Sequence, residues 1–328
     1  KIVIFAFKQL LMIIQILILI AGLVLVVGGA EALVEGSSSV ARKFGISEFV
    51  IGLTIVGMGT SAPEMVVSFI GAFKGNADIA VGNVIGSNIF NTMLILGITA
   101  MILPMGITAL NRKKDIPINI AVTVLLILLG INFTIFGAGA DRLSRIDGAV
   151  LLALFCVYMY ISFRYDVPES SSEEVKERKI GWSLLLIAAG LAALILGGRL
   201  FVNSAEIIAK MLKVSDKFIA ITILAGGTSL PELATCVVAA ARKKGQLALG
   251  NIIGSNMFNI LLILGGSALI NPLSLNNISL IDLGMLLMSA LLIWSSIYVG
   301  KRNQIDRADG AILVILDIAY MAWLIIKG

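Results

Sequence analysis

The string GTSAPE at 59–64 returns as GTSLPE at 227–232, 168 residues later. A second string, GNVIGSNIFN at 82–91, returns as GNIIGSNMFN at 250–259 with the same offset. From Gly57 to Gly97, against Ala225 to Gly265, 19 of 41 positions are identical without a gap. The chain is therefore two copies of one unit. Each copy sets one carboxylate, Glu64 or Glu232, within a strongly apolar segment. A charge at the centre of a bilayer costs about 2.5–3.5 kcal/mol, and such residues mark ion or substrate paths by default. Two of them, duplicated in register, predict a cation site at the interface of the repeats.

Composition identifies the solvent. Of 328 residues, 59% are hydrophobic and 14% charged, and the mean hydropathy is +1.03. A soluble domain carries about 25% charged residues, so this is a polytopic membrane protein. The net charge of +5 is small and lies in short loops, which fits topogenic charge and not a nucleic-acid surface. The absence of histidine excludes a His-based metal centre or general base. Cys156 and Cys236 both lie in apolar segments and read as packing residues, not a disulfide. The basic, apolar start at 1–20 has no small-residue cleavage site after it and a counterpart at 181–198, so it reads as a retained helix. A start on Lys and not Met suggests that a few residues precede it.

A membrane helix needs about 20 mostly apolar residues. Ten segments qualify: 10–34, 48–73, 79–103, 117–136 and 146–164, then 181–204, 216–241, 247–270, 279–299 and 309–326. The last span of each half opens alike, with Asp147-Gly148-Ala149-Val150 and Asp309-Gly310-Ala311-Ile312 at an offset of 162. Five spans per half is an odd number, so the second half enters the membrane from the opposite side. The expected fold is all-α, with ten transmembrane helices as two inverted five-helix repeats at 1–164 and 180–328. The hydrophilic segment 165–179 is a cytoplasmic linker too short to fold as a domain. One side of the membrane receives fifteen Lys and Arg, the other nine, and only Arg199 lies within a span. That bias places both termini outside the cell membrane and the linker inside.

The motifs carry oxygen donors. On a helix, Thr60 and Glu64 share a face with Ser61 beside them. Pro63 removes a backbone N–H, and Gly57 and Gly59 loosen the same turn, so a kink with free carbonyls is expected beside the carboxylate. Thr228, Ser229, Pro231 and Glu232 repeat the arrangement. Ser87 and Asn91 share a face with Asn83, as Ser255 and Asn259 do with Asn251. Gly82 with Gly86, and Gly250 with Gly254, permit close helix contact. Carboxylates, hydroxyls, carboxamides and carbonyls are hard donors that suit Ca²⁺ or Na⁺, not zinc or copper. Two carboxylates balance one Ca²⁺, two Na⁺ or two protons, so rival loads compete for the same ligands.

A single Ser or Asn in a span is equally well explained by helix packing. A lone Glu could pair with Arg199. Two Glu, each preceded by Pro on a Gly-broken helix and repeated with their companions, are not explained in that way. Among the other acids, Asp147 and Asp309 read as helix caps. Glu31, Glu35 and Asp282 read as interfacial, and Asp317, inside the last span, has no evident role.

The paired G-T-S-x-P-E and G-N-x-I-G-S-N-x-x-N strings resemble the two repeats of the sodium/calcium exchangers, within the cation/Ca²⁺ exchanger superfamily. The resemblance spans the whole chain and has the form of the minimal prokaryotic members. It implies a core of helices 2, 3, 7 and 8. It also implies an ion site of Thr60, Ser61, Glu64, Ser87, Asn91, Thr228, Ser229, Glu232, Ser255 and Asn259, completed by carbonyls near Gly57 and Ala225. Helices 1 and 6 would be long and slide across the core. Some relatives, notably the potassium-dependent branch, carry Asp where Asn259 stands, so Asn here argues against potassium cotransport. The expected function is Na⁺/Ca²⁺ antiport, with no cofactor, enzymatic activity or obligatory protein partner, and the bilayer as surroundings. H⁺/Ca²⁺ antiport and a passive cation channel are the alternatives.

Overall fold

Apolar runs of this length form helices because a backbone in lipid must satisfy its N–H and C=O groups within its own segment. A computed structural model describes the chain except residues 1, 132–136, 138–140, 166–178, 213–224, 299–302 and 328, with backbone alone for 2–9 and Ala225. In chain order the first half holds α1 (Ile2–Phe44), α2 (Glu48–Thr60), α3 (Ala62–Phe73), α4 (Ala77–Ile102), α5 (Ile116–Gly130) and α6 (Arg145–Arg164). The second holds α7 (Ile180–Met211), α8 (Ala225–Thr228), α9 (Leu230–Ala241), α10 (Gly245–Ile270), α11 (Leu280–Ser295) and α12 (Arg307–Lys327). Helices α2 and α3 form one span bent by 50°, and α8 with α9 ends the corresponding span of the second half. The elements follow the ten expected spans, although the beginning of span seven and the end of span four fall outside the described residues.

Two boundaries differ from expectation. Helix α1 runs for 43 residues and α7 for 32, well past the predicted ends at 34 and 204. The extension of α1 is polar in sequence but buried over 36–41, with Ser39 Oγ accepting from Ser183 Oγ of α7 at 2.8 Å, whereas the last turns of α7 are only partly buried. The two helices lie against each other along a seam of small residues seven apart. A Cβ on Gly22, Gly29 or Gly36 would come within 2.7–2.9 Å of the backbone of Gly197, Gly190 or Ser183. Close backbone approach replaces the hydrophobic effect as the source of helix association in lipid.

The halves are interlaced. Strand β1 (Met105–Gly106), after α4, pairs with β4 (Gln304–Ile305), before α12. Strand β2 (Arg142–Leu143), before α6, pairs with β3 (Leu273–Ser274), after α10. These two-residue ladders are the β structure among the described residues. Below them, Gly97 of α4 meets Gly310 of α12, and Gly148 of α6 meets Gly265 of α10, each so closely that a Cβ would clash with the opposing carbonyl or side chain. The fifth helix of each half thus packs on the third helix of the other. A second pseudo-symmetric pair fixes the fourth helices: Tyr158 Oη donates to Asp115 at 3.4 Å, and Tyr320 Oη to Asp282 at 2.5 Å. Asp147 and Asp309 cap helix starts as expected, and so does Asp282, which forms a capping box with Ser279. The cysteines are free, Cys236 buried and Cys156 exposed.

Helix α10 is the centre of the molecule: 94% of its apolar window is buried, against 11% for α1. Its glycines explain how. A Cβ on Gly254 would lie 2.3 Å from the Leu53 carbonyl oxygen, and one on Gly250 2.1 Å from that of Phe49. The counterparts Gly82 and Gly86 make no such contact among the described residues, since their equivalent partners fall within 213–224. Gly254→Val therefore lowers the thermal unfolding temperature sharply or prevents folding. Gly284→Ala, where an added Cβ meets nothing within 4 Å, leaves it within a few degrees of wild type. Fluorescence-detected size exclusion after a heating series measures both.

Candidate ion-binding site

Each motif breaks its helix at the serine. Ser61 has φ −81° and ψ 7°, Ser229 φ −86° and ψ 6°, and a new helix starts at once with Pro in its first turn. Proline is at home there, because the N–H it lacks has no intrahelical partner at that position. Glu64 and Glu232 then fall in the first turns of α3 and α9. The positive end of a helix dipole favours a carboxylate in its first turn. The expected kink is thus present, and it supplies a pair of helix N-termini as well as loosened carbonyls.

The two breaks meet. Ser61 Oγ donates to Glu232 Oε1 at 2.8 Å, and Ser229 Oγ donates to Glu64 Oε1 at 3.1 Å. All four side chains are fully buried. Each carboxylate is therefore held by the other repeat's serine, not by its own. The second oxygens, Oε2 of Glu64 and of Glu232, have no hydrogen-bond partner among the described residues. Arg199 forms no ion pair among the described residues, so it does not neutralise either glutamate. The Thr60 hydroxyl, buried at the same break, donates to Asn251 Oδ1 at 3.2 Å. Thr228 Oγ1 is buried without a partner.

Helices α4 and α10 complete the centre. Each leaves α-helical geometry at the second motif, in π-helical turns at Asn91–Ile95 and Phe258–Leu264. Such wide turns commonly mark functional positions, and neither was expected from the sequence. Asn91 and Asn259 are fully buried; Oδ1 of both, and Nδ2 of Asn91, lack partners. Asn259 Nδ2 donates to Asn88 Oδ1 at 2.9 Å. Ser255 Oγ lies 3.4 Å from the Gly57 carbonyl, the oxygen expected to face the site. Ser87 is buried and makes no hydrogen bond among the described residues. Ala225 opens α8, and its side chain is outside the described residues.

Two further members of the repeated motif, Asn88 and Asn256, bind the central helices together. Asn88 Nδ2 donates to the Asn256 carbonyl at 3.2 Å, and Asn256 Nδ2 donates to Thr92 Oγ1 at 2.7 Å. With the Asn259 bond they tie α4 to α10 across the centre. The signal was available, since Asn88 and Asn256 stand 168 apart within the matched strings. Asn83 is also structural, with Nδ2 donating to the Glu64 carbonyl at 3.1 Å and to Ser68 Oγ at 3.0 Å.

The unpartnered oxygens of Glu64, Glu232, Asn91, Asn256, Asn259 and Thr228 are hard donors with a combined charge capacity of two negatives. Among the described residues no three His, Cys, Asp or Glu side chains gather into one group, so the charge of this centre is that of its two glutamates. A cavity of about 380 Å³ adjoins it, lined by Pro63, Asn83, Arg199, Asn203, Thr228 and Pro231 among others. Asn88→Ala strands Asn259 Nδ2 and the Asn256 carbonyl, and lowers the free energy of unfolding by about 1–3 kcal/mol. Denaturant unfolding of the purified protein measures the loss.

The family model described as sodium/calcium exchanger protein matches residues 14–164 and 182–326. The membrane protein MJ0091 of Methanocaldococcus jannaschii is 37% identical over 92% of this chain and 95% of its own. The sodium/calcium exchanger MaX1 of Methanosarcina acetivorans is 32% identical, covering 94% of this chain and 97% of its own. Among solved structures, the sodium-calcium exchanger NCX_Mj soaked with zero Na⁺ and Ca²⁺ superposes with a TM-score of 0.82 at 33% identity, over 95% of this chain and 99% of that one.

Proposed function

The chain belongs to the sodium/calcium exchanger family, and we propose that it exchanges Na⁺ for Ca²⁺ across the cell membrane by alternating access at the Glu64–Glu232 centre. The observation that carries this reading is the crossed pair of bonds, Ser61 to Glu232 and Ser229 to Glu64, which leaves one free oxygen on each buried carboxylate. Two negatives at one place admit one Ca²⁺ or two Na⁺, but not both loads. Binding of one ion class then displaces the other, which is the requirement for counterflow. A third Na⁺ per cycle would make exchange move net charge.

The proposed ligands are Thr60, Ser61, Glu64, Asn91, Thr228, Ser229, Glu232, Ser255 and Asn259, with Ser87 and the carbonyls of Gly57 and Ala225. Asn91 and Asn259 bring carboxamide oxygens and no charge, which supports a site that holds no potassium alongside calcium. Access alternates because α1 and α7 are bound to each other along their glycine seam and can shift as a pair over the bent spans. The excess of Lys and Arg on one side places the termini outside and 165–179 in the cytoplasm.

In proteoliposomes loaded with Na⁺, external Ca²⁺ uptake rises with the outward Na⁺ gradient, and a pH gradient alone gives none. Uptake indifferent to internal Na⁺ but driven by protons would overturn the sodium reading, and conduction without a counter-ion would reveal a channel. Glu64→Gln or Glu232→Gln reduces Ca²⁺ uptake to that of protein-free vesicles while the protein still elutes as a folded species. Transport retained in either variant refutes the shared centre.

A further inference from the structure

Asp317 lies inside the last span, where the sequence assigns it no role. In the structure it is buried, with 3% exposure, and among the described residues no hydrogen bond or ion pair engages its carboxylate. The repeat shows what it replaces. At the offset of 162 that relates α6 to α12, Asp317 corresponds to Phe155. Phe155 packs edge-on against Phe258, with ring centroids 5.9 Å apart. Phe258 corresponds in turn to Phe90. In the second half, then, an aromatic contact has given way to a carboxylate. There Phe90 and Asp317 line a cavity of about 370 Å³ between α4, α11 and α12.

Other polar groups border the same space. Ser87, buried and without a hydrogen bond among the described residues, and Asn83, whose Nδ2 is committed to Glu64 and Ser68, both line it. Asp282 and Tyr320 also line it, but they satisfy each other: Tyr320 donates to Asp282 Oδ1, while Oδ2 of Asp282 accepts from Ser279 N at 3.0 Å and Oγ at 2.8 Å. Asp317 is thus the one acid of the cavity with uncommitted oxygens, and the neutral oxygens beside it belong to the helix that carries Asn91. One free carboxylate cannot balance a divalent ion but does balance a monovalent one. The volume also leaves room for several waters at about 30 Å³ each to complete its coordination.

We propose that Asp317, with Asn83 and water, forms a peripheral site for one hydrated Na⁺, distinct from the exchange centre and on the side of α4 facing α12. Occupancy there steadies α4 and so adjusts the affinity of the centre without adding to its load. The site does not require that Glu64 and Glu232 exchange ions, and its test is made with that centre disabled.

In the Glu64→Gln/Glu232→Gln background, ²²Na⁺ equilibrium binding to the purified full chain retains one saturable site per molecule. NaCl, relative to N-methylglucamine chloride, raises the thermal unfolding temperature of the same protein, as expected for a ligand bound by the native state. Adding Asp317→Asn removes both signals. Adding Asp317→Phe, which restores the aromatic packing of the first half, removes both while leaving a protein at least as heat-stable, so that loss of binding is not confused with loss of fold. In the otherwise wild-type chain, Asp317→Asn still exchanges ions but shifts the half-saturating Na⁺ concentration several-fold. Residual binding that survives Asp317→Asn, or no residual binding in the double-Gln protein, overturns the site. An infrared carboxylic-acid band lost in Asp317→Asn but insensitive to Na⁺ assigns the charge to a proton and also overturns it. Loss of Ca²⁺ uptake in the Gln variants bears only on the exchange centre.

Discussion

Two carboxylates buried at the centre of a membrane protein are the constraint from which the rest of the fold follows. Each would be untenable alone in an apolar interior, and each is held by a serine hydroxyl from the opposite repeat. The bond can form only if both helices break at the serine, so that the two chain reversals face each other. The break in turn needs proline in the first turn of the following helix and glycine before it. Once Glu64 and Glu232 are placed in those first turns, the ends of α3 and α9 add their dipoles. Sequence, backbone geometry and electrostatics converge on one point.

Around that point the structure arranges its packing by function. The central helices, α4 and α10, approach their neighbours at backbone distance and are stitched by Asn88, Asn256 and Asn259. Carboxamides suit this role because each offers donors and an acceptor, and an unsatisfied group in lipid has no water to turn to. The outer pair, α1 and α7, is joined mainly by glycine contacts at backbone distance, with one serine–serine bond at the Ser39 end. A rigid centre flanked by a smoothly packed pair is the mechanical arrangement that alternating access requires.

Much of this was legible in the residues. The duplication, the inversion and the bend at Pro63 and Pro231 follow from spacing and composition, since they depend on what each residue type permits locally. The crossed serine–glutamate bonds were not legible, because they depend on how two distant segments dock. The bond from Thr60 to Asn251 was hidden for the same reason, since it joins residues 191 apart in the chain. The π-helical turns at Asn91 and Phe258 escaped for a similar reason: an extra residue per turn is imposed by packing against a neighbour, not by the local sequence. The polar tail of α1 was read as loop because hydropathy cannot distinguish a serine in water from one buried against another helix.

The interlacing of the halves governs how the molecule can be made. Gly97 and β1 emerge early in synthesis, yet their partners, Gly310 and β4, are near the end of the chain. The first five spans can enter the bilayer as they leave the ribosome. Their tight contacts must wait until about two hundred further residues have been inserted. The duplicated ancestor's two units are therefore no longer separable folding units. A truncation that removes only the last helix leaves exposed, in lipid, a glycine face on α4 at the opposite end of the sequence.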